Sequence, residues 1–146
     1  MMIAVLNGVN LNLLGRRDPA HYGSLTLSAL ESQIYEWAGA VRSRARCFQT
    51  NSEGEFVEHI HDCEGWAGGL IVNPGAWTHY AYAVRDALEF LEIPKVEVHL
   101  SKIEEREPWR RTSVIADVVE HRITGQGPDG YRQAIEWLGR STERGD

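Results

Sequence analysis

The stretch IAVLN, residues 3–7, sets four apolar residues in a row and stops on an amide. A strand with one wet face alternates apolar and polar side chains, whereas a strand covered on both faces reads as a continuous apolar run. The run therefore predicts a parallel strand buried between two layers. Outward from it the grammar repeats. Leu27, Leu30, Ile34, Trp37, Ala38 and Val41 recur every three or four positions, the stripe of an amphipathic helix that Ser24 or Thr26 is placed to cap. RARCFQT (44–50) reads as a second strand, and Phe56, Val57, Ile60 and Cys63 as a short helix. GGLIVNPG (68–75) is a third strand stopped by Pro and Gly, with a helical stripe after it at Tyr80, Val84, Ala87, Leu88 and Leu91. KVEVHLS (95–101) is a fourth strand, VIADVVEHRITG (114–125) contains a fifth, and Tyr131 to Leu138 carries a last helix.

Five β-α units with short connections predict an α/β fold, since right-handed crossovers place helices on both faces of a parallel sheet. The expected form is a flavodoxin-like three-layer sandwich with a five-stranded parallel sheet, residues 1–146 forming one domain. In such sheets ligands bind beyond the carboxyl ends of the strands.

Composition narrows the partners. Of 146 residues, 42% are hydrophobic and 25% charged, as in soluble globular chains. A net charge of −6 argues against nucleic acid as the main partner, though a small anionic substrate still suits a local cationic pocket. Cys47 and Cys63 form neither a zinc spacing nor a C-x-x-C pair and are expected to be buried small hydrophobes. The opening MMIAVLNGVN lacks a basic n-region, and no run of 18 apolar residues occurs, so a cytoplasmic protein with no membrane partner is expected.

The residues just past each strand are chemically richer than a set of turns needs. Asn7 and Asn10 come at and after the end of the first strand, Asn73 and His79 those of the third, His99 and Ser101 close the fourth, and Arg106 and Arg110 lie just beyond. Arg17 and Tyr22 stand in LGRRDPAHYG (14–23). Taken singly, each is most simply a turn, structural or solvated residue. Convergence of four separate segments on one crevice favours a site. GQGPDG (125–130) matches G-x-G-x-x-G, but the acidic residue and strand of a dinucleotide unit are not there to complete it, and Pro128 fits a plain turn. No P-loop, nucleophile elbow, H-E-x-x-H or EF-hand occurs, so no cofactor and no metal are expected.

A tyrosine serves as a general base only as tyrosinate. Ionising a phenol near pH 7 costs about 4 kcal/mol, about three pKa units at 1.36 kcal/mol each. A unit charge about 4 Å away supplies about 4 kcal/mol at an effective dielectric near 20. One guanidinium beside Tyr22 thus offsets the cost, and Arg17 is the candidate. With an Asn and a His opposite to hold and protonate a leaving hydroxyl, the set fits proton abstraction beside a carbonyl with subsequent loss of water.

NGVNLNLLGRRDPAHYGSLTL, FQTNSEGE, IVNPGAWTHYAYAVRDAL, VEVHLSKIEEREPWRRTS and GQGPDGYRQAI together resemble the type II 3-dehydroquinate dehydratases (type II dehydroquinases), in family order over about residues 3–138. The resemblance implies anti elimination of water from 3-dehydroquinate through an enolate, giving 3-dehydroshikimate, in the shikimate pathway or quinate breakdown, with no cofactor. It implies a homododecamer built as a tetramer of trimers. Tyr22 matches the base for the C2 proton, Arg17 its activator, and His99 the acid for the C1 hydroxyl, with Asn73 its hydrogen-bonding companion. Asn10 matches the residue that helps hold a water at the enolate oxygen. Leu100 and Ser101 match carboxylate contacts, His79 and Arg110 binders of ring hydroxyls, and Asp86 an aspartate reaching in from a neighbouring subunit. The loop from about 14 to 23 is expected to close over substrate.

Departures from the family pattern fall at Val9, where Pro is usual, at Lys102, where Asn is common, and at His121 and Arg122, where small residues are usual. Lys102 and the altered last strand keep open the same elimination on an amino analogue of dehydroquinate, and a flavodoxin-like binding module without catalysis is the alternative from another class.

Overall fold

In a computed structural model that describes residues 1–16, 18, 20 and 24–143, the apolar run becomes the second strand in from one edge of a five-stranded parallel sheet. The strands are β1 (Met2–Asn7), β2 (Arg44–Gln49), β3 (Gly69–Asn73), β4 (Lys95–His99) and β5 (His121–Thr124), in the order β2-β1-β3-β4-β5. Among the described residues, the longer helices are α1 (Leu27–Ala40), α2 (Glu53–Asp62), α3 (Tyr82–Phe90) and α4 (Asp129–Glu143). Thr26 caps α1, its hydroxyl accepting from the Ala29 N–H. This is the expected flavodoxin-like order with helices on both faces.

The unbroken run in β1 resolves into two alternating sets. Ile3 and Val5 pack with Leu30 and Ile34 of α1 and with Tyr131, Ile135 and Leu138 of α4. Ala4 and Leu6 pack on the opposite face with Phe56 and Ile60 of α2 and Val84 and Leu88 of α3. All four are buried, which is why no polar residue interrupts them. Strand β4 behaves differently: Val96 and Val98 join the α1/α4 core, while Lys95, Glu97 and His99 project to the other side, also buried. Three ionisable groups thus share one covered face of a strand, and each has a partner.

Boundaries shift where polar residues hide the pattern. The last helix runs from Asp129 to Glu143, beyond Leu138. The helix expected from Tyr80 starts at Tyr82, because residues 75–79 form a 3-10 turn first. Cys63 is fully buried, as expected, whereas Cys47 is only partly covered, since it lies on edge strand β2. Burial pushes their thiols up, to about 12 for Cys47 and about 11 for Cys63, away from thiolate chemistry. No described helix is long and apolar enough to cross a membrane.

Candidate active site

The carboxyl ends of β1, β3 and β4 open into a cleft of about 250 Å³, lined by Asn10, Asn73, His79, His99, Leu100, Ser101, Arg106 and Arg110 with Val9, Ile103 and Trp109 among others. Two loops are pressed together to form its floor. Gly8 lies so close to Pro74 that a Cβ there would stand 2.6 Å from the Pro74 carbonyl oxygen, and Gly75, at φ 64°, meets the Val9 carbonyl in the same way. Both positions need glycine for this approach. Asn10 adopts the left-handed conformation at φ 70° and is held by its N–H on Asn51 Oδ1 at 2.8 Å.

At the tip of β4, His99 donates Nε2–H to Glu97 Oε2 at 2.6 Å. Glu97 has no exposed surface. It also accepts from Thr78 Oγ1 at 2.5 Å, Ser113 Oγ at 3.2 Å and Arg122 Nε at 3.0 Å. Burial pushes its carboxyl up, but the hydrogen bond and charge of His99, the Arg122 guanidinium and the Thr78 hydroxyl together hold it below the usual carboxylate range. Glu97 is therefore held as an anion, and its oxygen fixes which way the imidazole is turned.

The tip of β3 carries a neutral counterpart. Asn73 Nδ2 donates to the Tyr131 hydroxyl at 2.9 Å, and that hydroxyl donates to Asn7 Oδ1 at 2.7 Å. Asn73 Oδ1 accepts from the Gly75 N–H at 3.1 Å, which fixes the amide's orientation. Burial pushes the Tyr131 phenol up, so it remains a neutral link.

His79 faces His99 across 6.5 Å between ring centroids, nearly parallel. Its Nδ1 lies 2.6 Å from the Thr112 carbonyl oxygen. A carbonyl only accepts, so Nδ1 carries the proton and Nε2 is the free ring nitrogen. Burial pulls its pKa down against that hydrogen bond, with the charges of His99 and Arg110 adding to the downward side. Arg110 stacks over Trp109, its Cζ 4.1 Å from the ring centroid, and pairs with Glu107 at 3.0 Å. Arg106 reaches Ser101 Oγ at 3.4 Å.

Eight of the residues singled out from sequence thus line one cleft: Asn10, Asn73, His79, His99, Leu100, Ser101, Arg106 and Arg110. Asp86 does not; it is exposed on α3. Arg17 and Tyr22 lie outside the described residues. Glu97 went unread, although K-V-E-V-H places it on the same face as His99, two residues back. Lys102 is exposed, its chain lying against Gly125, and does not line the cleft. His121 is stacked on Trp137, away from it.

A flavodoxin-ordered sheet with a buried Glu-His pair and cationic side chains at its strand tips defines a small-molecule acid-base site. The family model for class II dehydroquinases matches residues 1–139, and the chain belongs to that family. It is 48% identical over 134 residues to a 3-dehydroquinate dehydratase of Pelobacter propionicus, covering 91% of this chain and 90% of that one. With another, of Roseiflexus castenholzii, identity is 50% over 139 residues, covering 94% and 88%. The solved type II dehydroquinase of Propionibacterium acnes superposes with a TM-score of 0.92 at 39% identity, covering 95% of this chain and 96% of that one. A 3-dehydroquinate dehydratase-like protein of Bifidobacterium longum superposes less closely, with a TM-score of 0.74 at 30% identity over 97% and 98%.

Proposed function

We propose that this cleft dehydrates 3-dehydroquinate to 3-dehydroshikimate, the reaction named for the relatives, as a step of the shikimate pathway. The observation that carries the reading is the Glu97–His99 pair opening beside Asn73 and Ser101. Protonated His99, balanced by Glu97, delivers a proton to the departing C1 hydroxyl. Tyr22, activated by Arg17, takes the C2 proton, and Asn10 helps hold a water at the enolate oxygen. The N–H groups at Leu100 and Ser101 and the Ser101 hydroxyl receive the substrate carboxylate, with Arg106 adding positive charge beside Ser101. His79, with its Nε2 free, and Arg110 hold ring hydroxyls. Asn73 sits beside His99 as a fixed amide, since its own bonds run to Tyr131 and Gly75.

Residues 1–146 act as one catalytic domain, with the segment 14–23 closing over bound substrate. Exposed Asp86 is free to enter a neighbouring copy's site, in keeping with a dodecamer of four trimers in the cytoplasm. Lys102, outside the cleft, offers nothing to select an amino analogue. Purified protein mixed with 3-dehydroquinate is expected to produce the conjugated enone, read as a rise in ultraviolet absorbance. Tight binding without that rise would contradict the reading and favour a non-catalytic binding module.

A further inference from the structure

We propose that Arg122 is a positioning residue for the acid step: from β5 it keeps the Glu97 carboxylate ionised and turned toward His99 throughout turnover. The inference rests on the assignment of His99 as the acid.

Strand pairing puts Arg122 directly beside Glu97, the two being register partners of β5 and β4. Its Nε donates to Glu97 Oε1 at 3.0 Å, and its Nη1 lies 3.4 Å from Glu104 Oε1, so one guanidinium spans a buried and an exposed carboxylate. The remaining donors on Glu97, Thr78 and Ser113, are neutral hydroxyls. His99 carries charge only while it holds the proton it is to give away. Once that proton has left, Arg122 is the cation still bonded to Glu97 among the described residues, and a guanidinium does not deprotonate. A carboxylate without exposed surface and without that cation would draw a proton back, and a neutral Glu97 no longer holds an imidazolium in place.

Other charged groups near the pair are differently engaged. Lys95, on the same face of β4, bonds the Leu91 and Ile93 carbonyls and pairs with Glu120. From β3 the neighbour of Glu97 is Val72, which is apolar. His79 faces His99 from the 75–79 turn, and Arg106 and Arg110, each paired with Glu107, line the cleft. Glu104, in the turn at residues 103–105, reaches the pair through Arg122, with Thr124 Oγ1 donating to it at 3.1 Å.

The test is the pH profile of kcat with 3-dehydroquinate for the wild type, Arg122→Met and Arg122→Lys. Loss of the charge raises the pH at which Glu97 takes up a proton, so the acid limb moves up by about one unit in the Met variant. On that limb kcat falls roughly tenfold, while Lys, retaining the charge, restores a profile near the wild type. Arg122→Gln makes the same prediction if the Met chain does not fold. An unmoved limb with kcat lowered equally at every pH would overturn the proposal, as would a Lys variant no better than Met. His99→Asn separates the premises: if it keeps wild-type kcat, the acid assignment itself has failed. If it is severely impaired while the Arg122 variants titrate like the wild type, only the role of Arg122 has failed.

Discussion

The tips of β3 and β4 both end in buried polar networks, but one is neutral and the other is charged. Under Asn73, the Tyr131 hydroxyl and the Asn7 amide pass single hydrogen bonds along, with no ion among them. Under His99, a fully buried carboxylate collects two hydroxyls, an imidazole and a guanidinium. The neutral network supplies direction: it fixes which way an amide points, at low desolvation cost. The charged one supplies direction together with a reserve of negative potential beside the His99 imidazole. A fold that needed only rigidity at β4 would not bury an anion there.

That contrast orders the expected losses. Replacing His99 with Asn removes the proposed proton donor and should lower kcat by about 10² to 10⁴, with substrate still bound, measured by enone formation and by ligand-dependent thermal shift. Glu97→Gln keeps the shape but strips the charge. It should lower kcat by somewhat less, and it should also destabilise, because Arg122 is left facing an amide.

The stability effect of Glu97 has a definite sign. Its folded-state pKa lies below the ordinary carboxylate value, so its contribution is fully present above that ordinary range and is lost as pH falls through the lower folded value. Melting curves of wild type and Glu97→Gln should therefore converge in strong acid and separate toward neutrality. Parallel curves at every pH would erase the distinction between the two networks.

Tyr131→Phe is the mildest of the set. It leaves Asn73 Nδ2 and Asn7 Oδ1 without their buried partner, worth about 1–3 kcal/mol in a denaturant titration. Any loss of kcat should be small and independent of pH, since no ion is involved. A pH-dependent loss would place the two networks in one class.

Legibility in the sequence obeyed the same physics. The IAVLN run announced a doubly covered strand because every position of β1 in that run faces a core or a strand tip, and the helical stripes were plain wherever one face of a helix is dry. Strand β4 was legible as a strand, yet Glu97 within it went unread, because alternation does not say which of the two faces is covered. Arg122 was visible only as an unusual residue. Its partner lies 25 positions away and meets it through the pairing of β4 with β5, which no local pattern encodes. Cleft-lining Trp109 and Ile103 were likewise unremarked, since their 3-10 turns carry no periodic signal. The charge of Arg17 near the phenol of Tyr22 was read from spacing and energetics, and those two residues lie outside the described structure.

The proposed reaction divides catalysis between a base, Tyr22, and an acid, His99 with Glu97 as its partner. Deuterium exchange tests that division most directly. His99→Asn protein incubated with 3-dehydroquinate in D₂O should still replace the C2 proton with deuterium, seen by NMR of recovered substrate, while forming little enone. If exchange and dehydration vanish together, His99 is needed before the hydroxyl departs, and the separation of the two roles is wrong.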